Sequence, residues 1–207
     1  MIDLYSSATP NGRKITIMLE ELGIKYNVIP ISLDKKEQFS DQFSKISPNN
    51  KIPLIVDNEN KQIIFESGAI LLYLAKKFNK LIDEKNYWDT IQWLFFQMAY
   101  VGPMLGQAHQ YLFYHSGKSK FAEEKSKGYT AHIYEILNKR LSDKNYISEN
   151  YSIADIAIWP WVAQYKKHQI DLKKYPNVLQ WYLLISKRSA VIKGFNIVGD
   201  FYEIPIP

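Results

Sequence analysis

Residues 51–74, KIPLIVDNENKQIIFESGAILLYL, change their periodicity once, and the change decides the fold. Ile52-Pro53-Leu54-Ile55-Val56 and Gln62-Ile63-Ile64-Phe65 are short β-branched runs joined by the polar turn Asp57 to Lys61, which predicts a hairpin. From Ser67 the spacing becomes helical, with Ile70, Leu71, Leu74 and Phe78 on one face. Upstream, Ile2 to Tyr5 reads as a strand and Thr9-Pro10-Asn11-Gly12 as a turn. Ile15, Met18, Leu19 and Leu22 then form a helix face that stops at Gly23. Tyr26 to Ser32 is a second strand, and Gln38 to Ile46 a short helix. The N-terminal order is βαβ, then α, then ββα.

Asn79 to Tyr87 is polar and charged and marks a boundary. Beyond it the apolar stripes are helical: Trp88, Ile91, Phe95 and Met98; Tyr129, Ile133, Ile136 and Leu137; Ile153, Ile156, Ala157 and Trp161; Val178, Trp181 and Ile185. Pro160 predicts a kink, and 204–207 an extended tail. The expected organisation is an α/β domain at 1–79 followed by an all-α domain at 87–207.

With 207 residues, 46% hydrophobic and 23% charged, the chain is long enough to bury a core and is not disordered in composition. It has no cysteine, which excludes disulfides, thiolate metal sites and a protein-thiol nucleophile. His109, His115, His132 and His168 lack metal-ligand spacing, so no metal site is expected. The net charge of +5 comes from scattered lysines without interleaved aromatics, so nucleic acid is not an expected partner, whereas a small anion is compatible. No apolar run approaches the ~18 residues of a membrane span. The N-terminus reads as a strand and not a signal peptide, so a cytoplasmic location is the default expectation.

Three junctions carry possible chemistry. Pro53 opens a strand without a ladder N–H; it is either an edge proline or a cis-proline presenting the Ile52 backbone to a ligand. Ser67 caps a helix, or its helix end binds a carboxylate, or both. Thr9-Pro10-Asn11 is a plain helix start, or a polar group at a positive helix end that stabilises a thiolate. Ser152 and Asp155 form a capping box, a structural feature.

Together Thr9–Gly12, Ser47–Pro53, Phe65–Leu74 and Asn150–Asp155, in that order and spacing, resemble a glutathione transferase. Gly102–Gln107, Leu137–Leu141 and Ile158–Trp161 extend the resemblance through the helical part. It is strongest to the bacterial Nu class, whose members reduce disulfides with glutathione. The resemblance implies a thioredoxin-like N-terminal domain, an all-helical C-terminal domain and a homodimer. It implies that Glu66 and Ser67 hold the γ-glutamyl end of glutathione, that Ile52, before a cis-Pro53, pairs with its cysteinyl unit, and that Lys51 and Gln38 lie near its glycyl end. Thr9 and Asn11 would face the sulfur. Lys125, with Lys127 close by, stands where the class usually has an arginine that reaches the partner subunit's ligand. Some relatives use a protein cysteine, which this chain lacks; others use a tyrosine or serine, which makes Ser7 a rival to Thr9 and Asn11. The implied reaction is reduction of a small disulfide by bound glutathione. Conjugation to carbon electrophiles, peroxide reduction and a non-catalytic binding role are the alternatives.

Overall fold

Ile2, Leu4 and Ser6 of β1 (Ile2–Ser6) are buried, and strands pair along both of its edges. In the computed structural model, which describes residues 1–199 and 203–207, β1 runs parallel to β2 (Tyr26–Pro30) and antiparallel to β3 (Leu54–Asp57). β4 (Gln62–Phe65) closes the hairpin, giving the order β2-β1-β3-β4. β1 and β2 are connected through α1 (Pro10–Leu22), as a parallel crossover requires. The stretch expected as one helix from Gln38 to Ile46 is divided: a 3₁₀ turn at Glu37–Phe39 precedes α2 (Asp41–Ser44). Ser40 divides it, being extended in backbone and accepting the Phe43 N–H on its hydroxyl. β3 begins at Leu54 and not at Ile52, because Pro53 has no N–H for the ladder.

Two compact units result, Met1–Lys80 with Arg188–Glu203, and Leu81–Lys187 with Ile204–Pro207. The first differs from the 1–79 expected, since sequence periodicity groups everything after residue 87 together. The cause is α9 (Ser189–Phe195), which packs on α1. Gly194 makes that approach possible, for a Cβ there would lie 2.6 Å from the Ile17 Cα. Thr16 Oγ1 donates to the Gly194 carbonyl at 2.6 Å, and Arg13 Nε to the Phe195 carbonyl at 3.1 Å. The Arg188 guanidinium forks onto Glu21 at 2.6 and 2.8 Å. With α9 on one flank and α3 (Ser67–Phe78) on another, α1 is buried at every position from Gly12 to Leu19.

The second unit holds α4 (Tyr87–Phe96), α5 (Gly102–Ala108), α6 (Lys120–Arg140), α7 (Ile153–Val162) and α8 (Pro176–Ser186). π-helical turns at Gln97–Val101 and His109–Tyr114 follow α4 and α5. Every residue of α7, including Pro160, is buried. The capping box expected at Ser152 and Asp155 is present. Asp155 accepts from the Ile147 and Ser152 amides, the Ser152 hydroxyl and Trp181 Nε1, at 2.8 to 3.2 Å. Burial nevertheless raises its carboxyl to about 6.

A second buried polar chain joins Tyr134, His168 and His109. The Tyr134 hydroxyl lies 2.9 Å from His168 Nδ1, and His168 Nε2 lies 3.0 Å from His109 Nε2. Two facing ring nitrogens share one proton, so at least one of the two rings is neutral in the bonded arrangement. Burial, assisted by Lys167, lowers His109 to about 4 and, with His109 adding to it, holds His168 well below its ordinary value. The folded protein therefore resists protons that the unfolded chain accepts below about pH 6.5. Stability is expected to fall on acidification by up to about 1.4 kcal/mol per pH unit for each ring. Chemical denaturation from about pH 7 to about pH 5 checks this, with a shallower slope expected for His168→Gln. Identical slopes would show that the pair is not the source.

Candidate functional site

Strand register gathers the three junctions at one end of the sheet. Tyr5 pairs with Leu54, so Ser6 and Ser7 emerge beside Pro53 and Ile52. Leu54 pairs with Phe65, so Glu66 and Ser67 emerge on the other side of the same loop. Ser6 also accepts the Ile31 N–H on its carbonyl at 2.8 Å, which brings the segment after β2, leading to Gln38, to the same end.

α1 begins here. Thr9 is its N-cap, with Oγ1 accepting the Gly12 N–H at 3.1 Å. The hydroxyl proton of Thr9 is not consumed by that bond. Pro10 occupies the first turn, where a missing N–H costs nothing, and no acidic residue there offsets the positive helix end. Asn11 follows and is half-buried. Ser7, also half-buried, accepts the Thr9 N–H on its carbonyl at 2.7 Å. Gly12 is the only residue type that fits: a Cβ there would lie 2.1 Å from the Ser7 carbonyl oxygen and 2.5 Å from Ser6 Oγ.

The Ile52–Pro53 peptide is cis. Ile52 is half-buried, and neither its N–H nor its C=O bonds to another described residue. The preceding loop is held by Ser47, whose buried hydroxyl accepts the Lys51 N–H and donates to the Lys51 carbonyl, both at 3.1 Å. The Lys51 side chain is exposed. Gln38 Oε1 and Asn50 Oδ1 are buried with no partner among the described residues.

At the β4–α3 junction, Ser67 is not the cap. That position belongs to Glu66, which has φ 68° and ψ 117° and makes no side-chain cap. A non-glycine residue held there costs on the order of 1–3 kcal/mol, a strain that concentrates at functional sites. Ser67 is buried, and its Oγ accepts from Lys14 Nζ at 3.1 Å.

Lys14 is the site residue that sequence reading passes over. It is fully buried in the first turns of α1. Desolvation brings it down to about 7, with the charge of Glu66 opposing. One signal was legible: Lys14 stands four residues before Met18 and eight before Leu22, on the apolar stripe itself. A lysine in a core-facing register is rare unless its ammonium is bonded. Lys125 belongs to the second unit, exposed on α6, with Nζ 5.9 and 5.7 Å from the ring centres of Phe121 and Tyr129.

Sheet order and helix placement define the N-terminal unit as a thioredoxin-like domain. The family model for the glutathione S-transferase N-terminal domain matches residues 2–76, and that for the C-terminal domain matches 98–188. The chain belongs to the glutathione transferase family. It is 46% identical over 198 residues to the disulfide-bond oxidoreductase YfcG of Escherichia coli, covering 92% of each chain. A Pseudomonas putida glutathione transferase, solved with one glutathione disulfide per subunit, superposes with a TM-score of 0.90 at 36% identity, covering 96% of this chain and 92% of that one. A Lodderomyces elongisporus homologue with two glutathiones per subunit superposes with a TM-score of 0.90 at 34% identity, covering 95% and 98%.

The close approach at Gly12 makes a sharp test of how the site is assembled. Gly12→Ala places a methyl inside the contact distance of the Ser7 carbonyl, so the start of α1 must move. A loss of about 2–4 kcal/mol in denaturant stability is expected, with glutathione retention lost in the fraction that still folds. Unchanged stability would mean that the loop yields freely.

Proposed function

We propose that this protein reduces disulfides with glutathione, the ligand's own thiolate serving as the nucleophile. The single observation that carries the reading is the start of α1, capped by Thr9 and free of acidic residues, in a chain with no cysteine. A thiol titrates near ~8.5. A helix N-terminus in good geometry contributes up to ~2 kcal/mol, and about 1.36 kcal/mol lowers a pKa by one unit. The helix end, with hydrogen bonds from Thr9 and Asn11, is sufficient to bring a bound thiol near neutrality. The thiolate attacks one sulfur of a disulfide, forming a mixed disulfide and expelling the other sulfur as a thiolate. A second glutathione thiolate attacks the glutathione sulfur of the mixed disulfide. The second substrate thiolate leaves, and glutathione disulfide is the oxidised product. Two thiolates supply both electrons, and no protein sulfur takes part.

Binding is assigned to the remaining junctions. Glu66 pairs with the γ-glutamyl ammonium, and Ser67 with its carboxylate at the helix end. The unbonded Ile52 N–H and C=O fit an extended peptide beside Pro53. Lys51 and Gln38 meet the glycyl carboxylate, with the NH2 of the half-buried Gln38 supplying donors. The relatives support this reading: YfcG is a disulfide-bond oxidoreductase, and the Pseudomonas putida enzyme holds glutathione disulfide.

Turnover of hydroxyethyl disulfide with reduced glutathione, run beside aryl-halide conjugation, tests the assignment. Disulfide reduction is expected to dominate, whereas activity in conjugation alone would reverse the ranking, and none in either would favour a binding module. Thr9→Ala and Asn11→Ala are expected to move the pH–rate profile for reduction to higher pH while changing affinity less. A profile moved only by Ser7→Ala would assign the sulfur contact to the serine.

We further propose a homodimer. Trp88 and Phe95 on α4 and Phe121 on α6 are 78%, 61% and 75% exposed, large apolar surface for a monomer to leave in water. Phe121, Lys125 and Tyr129 recur every four residues along one face of α6, which places Lys125 within that surface to reach a partner's ligand. Light scattering should report twice the chain mass, and Phe121→Glu should weaken association at least tenfold, since burying an unpaired charge costs at least ~1.4 kcal/mol. A monomeric wild type would refute the dimer.

A further inference from the structure

Ser47 spends every polar group it has on the chain around it. Its N–H donates to the Phe43 carbonyl of α2 at 2.9 Å, and its C=O accepts the Asn50 N–H at 3.0 Å. Its hydroxyl accepts the Lys51 N–H and donates to the Lys51 C=O, both at 3.1 Å. A hydroxyl has one proton and two lone pairs, so one side chain satisfies both backbone groups of Lys51. Ser47 is 2% exposed, which keeps water from competing for these bonds.

The next residue is held differently. Ile52 has an N–H and a C=O that bond to no other described residue. Pro53 has no N–H, and β3 begins only at Leu54. The Ile52 side chain packs on the buried cluster of Ile31, Phe43 and Leu54. Ile52 is therefore fixed twice, by Ser47 through Lys51 and by its own side chain, while its two backbone polar groups stay unspent. Such groups in a half-buried residue call for partners, and an extended peptide laid alongside can exchange both bonds with one residue.

We propose that Ser47 is a positioning residue for the ligand's peptide backbone: by occupying Lys51 it fixes Ile52 as the residue that exchanges hydrogen bonds with the cysteinyl unit, and so selects ligands with an intact cysteinyl amide. This rests on the glutathione reading above and adds to it the group that holds the recognising backbone still. Ser47 itself touches neither the ligand nor the sulfur. Its contribution is pre-organisation, because a loop already held in the bound conformation loses less freedom when the ligand arrives. Without the hydroxyl, the Lys51 N–H and C=O are released and the segment before Pro53 must be ordered at the moment of binding.

The test compares S-methylglutathione, which has no thiol to turn over, with its depsipeptide, in which an ester oxygen replaces the cysteinyl N–H. Isothermal titration of the full chain with each reads the affinity. The wild type should bind the ester about tenfold more weakly, because the Ile52 C=O loses its donor. Ser47→Ala should bind S-methylglutathione about tenfold more weakly, and the ester scarcely more weakly than that, since the two losses fall on the same pair of bonds. A merely structural role would weaken both ligands by the same factor and keep the wild-type ratio between them, and that result overturns the proposal. So does a Ser47→Ala variant that binds as the wild type does, or a wild type that does not distinguish the two ligands. Should the alanine variant not fold, amide exchange of the wild type decides. The Lys51 N–H should exchange slowly in the free protein, and the Ile52 N–H should become protected only when S-methylglutathione is bound. A Lys51 amide that exchanges freely, or an Ile52 amide that the ligand leaves unprotected, overturns the proposal. Absence of S-methylglutathione binding by the wild type would refute the glutathione reading itself.

Discussion

The hydrogen bond from Lys14 Nζ to Ser67 Oγ joins α1 to α3 at the end of the sheet where every candidate site residue of the first unit emerges. An ammonium withdrawn from water is costly, and removing the partner of such a group costs more than the pair contributes. The pair lies beside two helix N-termini, at the starts of α1 and α3. Around it stand Gly12, which lets α1 start against the Ser6–Ser7 turn, and Glu66, held at positive φ to turn β4 into α3.

The absence of cysteine shapes the chemistry as strongly as any residue present. Without a protein thiol, the nucleophile we propose is the ligand's own, and the task proposed for the protein is to hold a peptide and stabilise a sulfur anion. Backbone groups are proposed for the first task, in the Ile52 amide and carbonyl, which bond to no other described residue. A helix end and a capping hydroxyl are proposed for the second, since Thr9 uses an acceptor lone pair for Gly12 and keeps its proton. Both depend on backbone position, which is why the register of β1, β3 and β4 matters more here than any single side chain.

The sequence by itself determined the architecture. Alternation in Ile52–Val56 and Gln62–Phe65, the helical stripes that follow, and the Ser152–Asp155 capping box are local patterns that each constrain one element, and their order leaves few topologies. It determined most of the candidate site too, because Thr9, Pro53, Glu66 and Ser67 stand at element boundaries, where residue type is tied to backbone geometry. Only the tertiary structure decided that Ser67 bonds Lys14 and is not the helix cap, that α9 joins the first unit, and that His109, His168 and Tyr134 form one chain. Those contacts link residues 53, 178 and 59 positions apart. Periodicity reports which face of an element is apolar, and so marks a lysine that stands on that face, but not which distant element covers it or which group the lysine bonds.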